Sequence, residues 1–367
     1  MGHSKLLWSA LALAPHFVWA QSSVTLYGVV DVAASSYRGA GAGSRNMLTS
    51  SGNQSSRFGL RVRESLGDGL AAGLELESGI NADSGTGQAS NTNNQPSGNV
   101  PTTGLTFNRK SFVYLESERL GQIRLGRDYS PAFWNLFIYD PFRVGVGASA
   151  HVLHGTTSTG FRASNSVGYF SPGCSTSLCK GLFFQGMVAM GENASSGADR
   201  NNGQLLGWRL GYGGTGWSAA ISTATTKNQL AGNYTQSSIA AAYHLQEHVV
   251  SAIFGENKTG NRLAALDGGN RVRFWQLGAA IKVGSQGSIP VSYMRMTRND
   301  RSDSSSQKLA VGYQHSLSKR TALYGTYAYI KNSGSLNLSV ASGSLLGPIP
   351  VAGGNASGFD LGIRHAF

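Results

Sequence analysis

Apolar and polar residues alternate with a period of two in many short stretches of the chain. Phe58, Leu60 and Val62 interleave with Arg57, Gly59, Arg61 and Arg63, and Leu70, Ala72, Leu74 and Leu76 with Ala71, Gly73, Glu75 and Glu77. Trp275, Leu277, Ala279, Ile281 and Val283 against Gln276, Gly278, Ala280 and Lys282 repeat the pattern, as do Phe359, Leu361, Ile363 and Phe367 against Asp360, Gly362 and Arg364. A strand sends successive side chains to opposite faces, so each stretch predicts a strand with one apolar and one polar face. A soluble sandwich alternates too, and the punctuation separates the two readings. Short turns fall near 66–69, 118–121, 171–181, 213–216, 246–247, 284–287 and 318–321. Longer stretches rich in Gly, Ser, Asn and Thr lie at 36–55, 80–104, 129–161, 192–203, 227–236, 258–270, 299–307 and 333–354. Short and long connections alternate and divide the chain into sixteen strands. Transmembrane strands take about 9–11 residues, with short turns on one side of the membrane and long loops on the other. An even number lets the first strand, 24–35, pair with the last, 357–367, so that no edge is left. The predicted fold is all-β, a 16-stranded antiparallel transmembrane barrel. Tyr27, Phe112, Tyr114, Trp208, Tyr212, Trp217, Tyr243, Tyr293, Tyr313 and Tyr324 sit near strand ends or short turns and are expected in an interfacial girdle.

The N-terminus adds a compartment. Lys5, an apolar run over 6–14 and Val18-Trp19-Ala20 form a secretory leader, with cleavage expected after Ala20 and the barrel domain in 21–367. Only 13% of residues are charged, 50 are glycine, and the formal net charge is +12. A high charge density typical of disorder is absent, and no 20-residue apolar run lies outside the leader. Cys174 and Cys179 are the only two cysteines. In an exported chain they are expected to close a disulfide across a turn, with two free thiols as the alternative. The basic residues are spread rather than striped, which argues against a nucleic-acid partner.

Short segments, taken in order, resemble one family. SSVTLYGVVD at 22–31 resembles the first strand of Gram-negative general porins of the β-proteobacterial type, and SRFGL at 56–60 their second. FNRKSFV at 107–113 and IRLGRDY at 123–129 resemble strands four and five. YDPF at 139–142 resembles part of the third loop, NSVGY at 165–169 the sixth strand, and LSKRTALY at 317–324 the last short turn. GIRHAF at 362–367 resembles the closing strand, whose final phenylalanine, here Phe367, is read by the outer-membrane assembly machinery.

The resemblance implies a homotrimer of barrels in outer-membrane lipid and lipopolysaccharide. Each barrel would hold a water-filled channel for small hydrophilic solutes and ions, narrowed by an inward-folded third loop over 129–161. It also implies basic constriction residues at Arg57 and Arg109. The lumen side of strand two carries Arg57, Arg61 and Arg63, and Arg109, Arg124 and Arg127 continue the set, with Arg143 in loop three and Arg162 at its end. Strict alternation places Arg127 with Leu125, and a local bulge would turn it inward. Asp31, Glu75, Glu77 and Asp140 are expected to oppose the arginines and create a transverse field. Rings of arginine favour anions, and guanidinium groups do not titrate near neutrality, so mild anion preference is expected. Two positions depart from the family pattern: Gly168 stands where a basic residue is usual and Ser164 where an acid is common. Loop two, 80–104, is expected to reach a neighbouring barrel.

Enzyme-like patterns are weaker. His244-Leu-Gln-Glu-His248 fits a metalloprotease motif that needs a helix but lies at a strand end and turn. Gly211–Gly216 fits a dinucleotide motif but precedes a strand. His151 and His154 have no third ligand nearby in sequence, and no cofactor or metal is expected. A substrate-specific channel, or a barrel lipase or protease, are the alternatives to a general pore.

Overall fold

The structure, a computed structural model, describes residues 22–100, 104–149, 153, 159–174, 179–229, 232–260, 271–299, 304–341 and 347–367. The leader, His151 and His154 lie outside them. Sixteen antiparallel staves close into one barrel. They are β1 (Ser22–Gly39), β2 in two halves (Gly43–Ser50 and Arg57–Gly67), β3 (Leu70–Asn81), β4 (Lys110–Ser117) and β5 (Gly121–Tyr129). Then follow β6 (Arg162–Phe170), β7 (Gly181–Ala189), β8 (Leu205–Gly213), β9 (Trp217–Thr226), β10 (Tyr234–Leu245) and β11 (His248–Thr259). β12 (Arg271–Val283), β13 (Gly287–Arg298), β14 (Ser305–Ser316), β15 (Thr321–Ser333) and β16 (Ala356–Ala366) complete the ring. β16 pairs with β1 from Val29↔Ala366 to Gly39↔Ala356, which removes the last free edge.

The alternation has the outcome the sequence implies. Outward residues are apolar and bare, as Leu182 at 76% exposure, whereas Gln185, three positions on and facing inward, is 1% exposed. Arg209, Lys308, Asp31 and Asp360 are likewise buried inside. This inversion of a soluble protein is what a lipid-facing wall around a polar lumen requires.

Two expectations are corrected. The stretch 36–55 is largely paired: β1 runs on to Gly39, turns, and returns as Gly43–Ser50 in register Val32↔Ser50 to Gly39↔Gly43. Its serines and asparagine read as loop because the hairpin rises into polar surroundings, where no apolar face is needed. Four of the ten girdle aromatics point inward. Tyr27 and Tyr324 hydrogen-bond to Glu75 and Asp31, and Phe112 and Tyr114 share the face of Glu75 and Gly73. Proximity to a strand end does not decide a face; register does. Within the chain, loop two is tied to the rim: Asn94 Nδ2 donates to Ser164 O and Met190 O, and Asn165 Nδ2 to Thr92 O.

The enzyme-like patterns fall on hairpins. His244 pairs with Val249 and His248 with Leu245, so the two imidazoles leave opposite faces of the sheet. The glycine-rich stretch at 211–216 ends β8 and turns into β9, with no helix following.

Candidate functional site

Loop three builds a constriction inside the barrel. Ser130 caps a short helix, α1 (Pro131–Tyr139), with its hydroxyl accepting from Phe133 N, and Pro131 pre-sets the first turn. The inner side of α1 packs Leu136 and Tyr139 against Phe183, Ala220, Ala240 and Ile253 of the wall. Asn135 Nδ2 donates to Ala220 O (3.1 Å) and Ser238 O (3.3 Å), while Arg209 Nε donates to Asn135 Oδ1 (2.7 Å).

Beyond α1 the chain crosses the lumen. Asp140 accepts from Phe142 N (3.0 Å) and Ser149 N (2.7 Å), and Lys308 Nζ donates to Ala148 O (2.6 Å). Burial raises the Asp140 carboxyl above the usual carboxylate range, against the two amides that lower it. Two glycines admit the crossing. A Cβ on Gly278 would lie 2.7 Å from Pro141 Cδ, and Gly145, at φ +76°, passes so close to Gly52 O that a Cβ would be 1.9 Å away.

Segment 51–56, between the halves of β2, narrows the lumen from the other side. It folds over Asp31, whose carboxylate accepts from Asn53 N (2.9 Å), Gln54 N and the Tyr324 hydroxyl. Asp31 therefore anchors the segment and is 0% exposed; it does not face the channel water as the sequence led us to expect.

The opening between these features is lined by Arg57, Arg109, Lys110, Arg364 and Arg143, with Glu77 and Asp140 the acidic members, a net charge of +3. Across from the β2–β4 cations stands the apolar face of loop three, with Phe133, Trp134, Phe137 and Ile138. Arg143, at φ +62°, lies over the Phe137 ring at 5.7 Å. Burial lowers its guanidinium from the ordinary value, with Asp140 opposing.

Two of the four expected acids, Glu75 and Glu77, share the cationic wall instead of opposing it, while Asp140 sits on loop three. Glu77 accepts from Arg109 Nε (2.6 Å) and lies 3.3 Å from Arg57 Nε; Glu75 meets Arg61 (3.0 Å), Lys110 (3.0 Å) and the Tyr27 hydroxyl (2.7 Å). β3 pairs directly with β2 and β4, so its acids neutralise part of the basic wall rather than face it. Among the described residues, Arg143 and Arg364 form no ion pair; Arg364 donates to Asn53 Oδ1 at 3.0 Å.

Other members of the expected set lie elsewhere. Arg61 and Arg63 face the lumen but away from the narrowest part, Arg63 beside Glu116 at 3.6 Å. Arg124 is buried against Asp128 (2.6 Å) between the Phe112 and Phe170 rings. Arg127 stays with Leu125: the bulge falls in β6, between Ala163 and Ser166, not in β5. Its guanidinium sits under loop two, donating to Asn108 O, Asn91 O and Ser164 Oγ, so Ser164 supplies an acceptor where an acid is common. A Cβ on Gly168 would make only ordinary contacts, the nearest with the Phe170 ring at 3.7 Å. Cys174 and Cys179 are joined across the β6–β7 turn. Phe367 exchanges both backbone hydrogen bonds with Gly28 (3.1 Å each). Lys110 and Arg364 were missed. Lys110 shares its face with Phe112 and Tyr114, which had been assigned to lipid, whereas Arg364 was legible as the polar partner of Leu361 and Ile363.

A closed sixteen-stave barrel with an apolar coat, a polar lumen and a loop folded across it defines a channel-forming outer-membrane protein. The sequence profile of the Gram-negative porin family matches residues 8–335. The Outer membrane porin protein 32 of Delftia acidovorans is 32% identical over 370 residues, 98% of each chain. The structure of the anion-selective porin from Comamonas acidovorans superposes with a TM-score of 0.80 at 30% identity, covering 95% of this chain and 100% of that one. OmpT of Vibrio cholerae shares the fold at a TM-score of 0.63 and 13% identity, covering 94% of this chain and 99% of that one. The chain belongs to the Gram-negative porin family. It resides in the outer membrane and forms a general diffusion channel for small hydrophilic solutes.

Proposed function

We propose that this channel prefers anions and that Arg57, Arg109, Lys110, Arg143 and Arg364 set the preference. The observation that carries the reading is the imbalance around the constriction: five basic side chains against two acidic ones, with Glu77 held by Arg57 and Arg109 and Asp140 tied up by backbone amides. Low-dielectric walls focus such a field and raise the local anion concentration. The anion selectivity of the Comamonas relative supports the same sign. Liposome-swelling rates test it with neutral, anionic and cationic solutes of equal size. The anion is expected to enter fastest; a faster cation overturns the reading.

The apolar face of loop three favours a second, narrower reading, in which anions with an apolar body pass best because Phe133, Trp134 and Phe137 offer them a surface opposite the cations. Benzoate entering faster than an equally sized hydrophilic carboxylate would support it. We further propose that three barrels associate and that residues 1–20 are removed on export. Cys174–Cys179 would pin the β6–β7 turn, and Phe367 would serve the assembly machinery. The family resemblance and the leader pattern support these readings.

A further inference from the structure

Behind loop three the inner wall carries a cation that does not line the channel opening. Arg209, on β8, is 2% exposed. Phe170, Gln185, Arg209, Ser222 and Ser238 are successive register partners across β6–β10 and form one inward row. α1 lies over the row, and Asn135 fastens it there by donating to Ser238 O and accepting from Arg209 Nε.

The groups that hold the Arg209 guanidinium are all neutral. Asn135 Oδ1 accepts from Nε at 2.7 Å, and the Tyr139 hydroxyl accepts as well. The Phe183 ring centre lies 4.6 Å from Cζ, and the Cys179 sulfur lies 4.0 Å from Nη1. Among the described residues no carboxylate pairs with Arg209, and Asp128, on β5, is already held by Arg124 at 2.6 Å. α1 itself, PAFWNLFIY, contributes no charge.

The neighbour in the row has the complementary deficit. Gln185 is 1% exposed, and neither its amide nitrogen nor its amide oxygen has a hydrogen-bond partner among the described residues. Directly paired residues on one face keep their Cβ atoms about 4.5–5.5 Å apart, so Gln185 and Arg209 run side by side. The amide oxygen, a natural acceptor for a guanidinium, nevertheless takes no proton from it. Polar groups set side by side but too far apart to bond directly are commonly bridged by a third species. A buried cation is costly unless an opposite charge meets it. Water would satisfy the amide and leave the charge uncompensated, whereas an anion answers both needs.

We propose that Arg209 and Gln185 bind a small monovalent anion of the chloride class behind loop three. The guanidinium supplies the charge and the Gln185 Nε2 amide a further donor. One negative charge balances Arg209, and the neutral surroundings would leave a second charge unmatched, so a divalent anion fits less well. Because Arg209 also holds Asn135, the bound anion strengthens the seat of α1 and is not one of the ions in transit. The proposal is independent of which ion the channel prefers.

The test uses the full barrel purified from outer membranes, with bromide as the probe. Crystals grown in sodium bromide and measured at the bromine absorption edge should show an anomalous peak beside Arg209 and Gln185. The peak should vanish in Arg209→Met and weaken in Gln185→Leu, which keeps the cation and serves if the first variant does not fold. At equal ionic strength the wild type should melt higher in bromide than in gluconate, by an amount that grows with bromide concentration, as expected for a ligand of the folded state alone. Arg209→Met should melt alike in the two salts. Ordered water without anomalous signal beside Arg209 in the wild type overturns the proposal. So does a peak undiminished in either variant, or a bromide-dependent melting shift that survives in Arg209→Met.

Discussion

Replacing Arg57 and Arg109 together by glutamine removes two of the five cations at the constriction and lowers its net charge from +3 to +1. An ion passing about 7 Å from one guanidinium in water feels about 0.6 kcal/mol, and about 0.3 kcal/mol after screening at 0.1 M salt. The opposite signs for anion and cation double this to about 0.6 kcal/mol, roughly a threefold change in the anion-to-cation permeability ratio per charge removed. The double variant should therefore lose about sevenfold, and at 1 M salt the loss should shrink to well under twofold, because the screening length falls to about 3 Å. Single-channel recordings of wild type and variant at both salts read this directly. Arg61→Gln, whose partner is Glu75 and which does not line the constriction, should change the ratio far less. An unchanged ratio in the double variant at 0.1 M, or an equal loss at 0.1 M and 1 M, would refute the electrostatic reasoning.

Glu77→Gln should shift selectivity the other way, about threefold toward anions. Removing the carboxylate that holds buried Arg109 should also cost on the order of 3–5 kcal/mol, seen as a lower unfolding temperature. Asp31→Ala leaves the Asn53 and Gln54 amides and the Tyr324 hydroxyl without their acceptor, so segment 51–56 should loosen, giving noisier current and a stability loss on the order of 3 kcal/mol by thermal melting. Gly278→Val sets its side chain against Pro141, so loop three should leave the wall and unit conductance should change in most channels. Burial raises the Asp140 pKa in the folded protein, so its contribution to loop docking is present at low pH and declines as pH rises through that pKa. Acidification from pH 7 to about 5 should accordingly not release loop three, so unit conductance should stay flat over that range in bilayer recordings.

The barrel was legible because a lipid coat and a wet lumen impose the strictest alternation a sheet can carry. The Leu70–Leu76 and Trp275–Val283 patterns therefore give face as well as strand. Arg57, Arg61, Arg63, Glu75 and Glu77 were placed on the lumen side for that reason, and the pairing of β2 with β3 keeps them there. What alternation does not carry is position around the ring. Glu75 and Glu77 were expected across the channel and lie beside the arginines, because sequence pattern gives the face of a residue and not its azimuth. Tyr27, Phe112, Tyr114 and Tyr324 were misplaced since an aromatic ring serves both a membrane interface and a polar lumen in which its hydroxyl or face finds a partner. Segment 51–56 and the crossing of loop three depend on Asp31, Asp140, Lys308 and two glycines distant in sequence, and no local pattern links them.

A net positive constriction should make this diffusion channel anion-preferring. The most direct measurement is the zero-current potential of single wild-type channels in a planar bilayer under a tenfold potassium chloride gradient. Chloride, as the more permeant ion, is expected to set its sign. A potential of the sign set by potassium, or none at all, would contradict it.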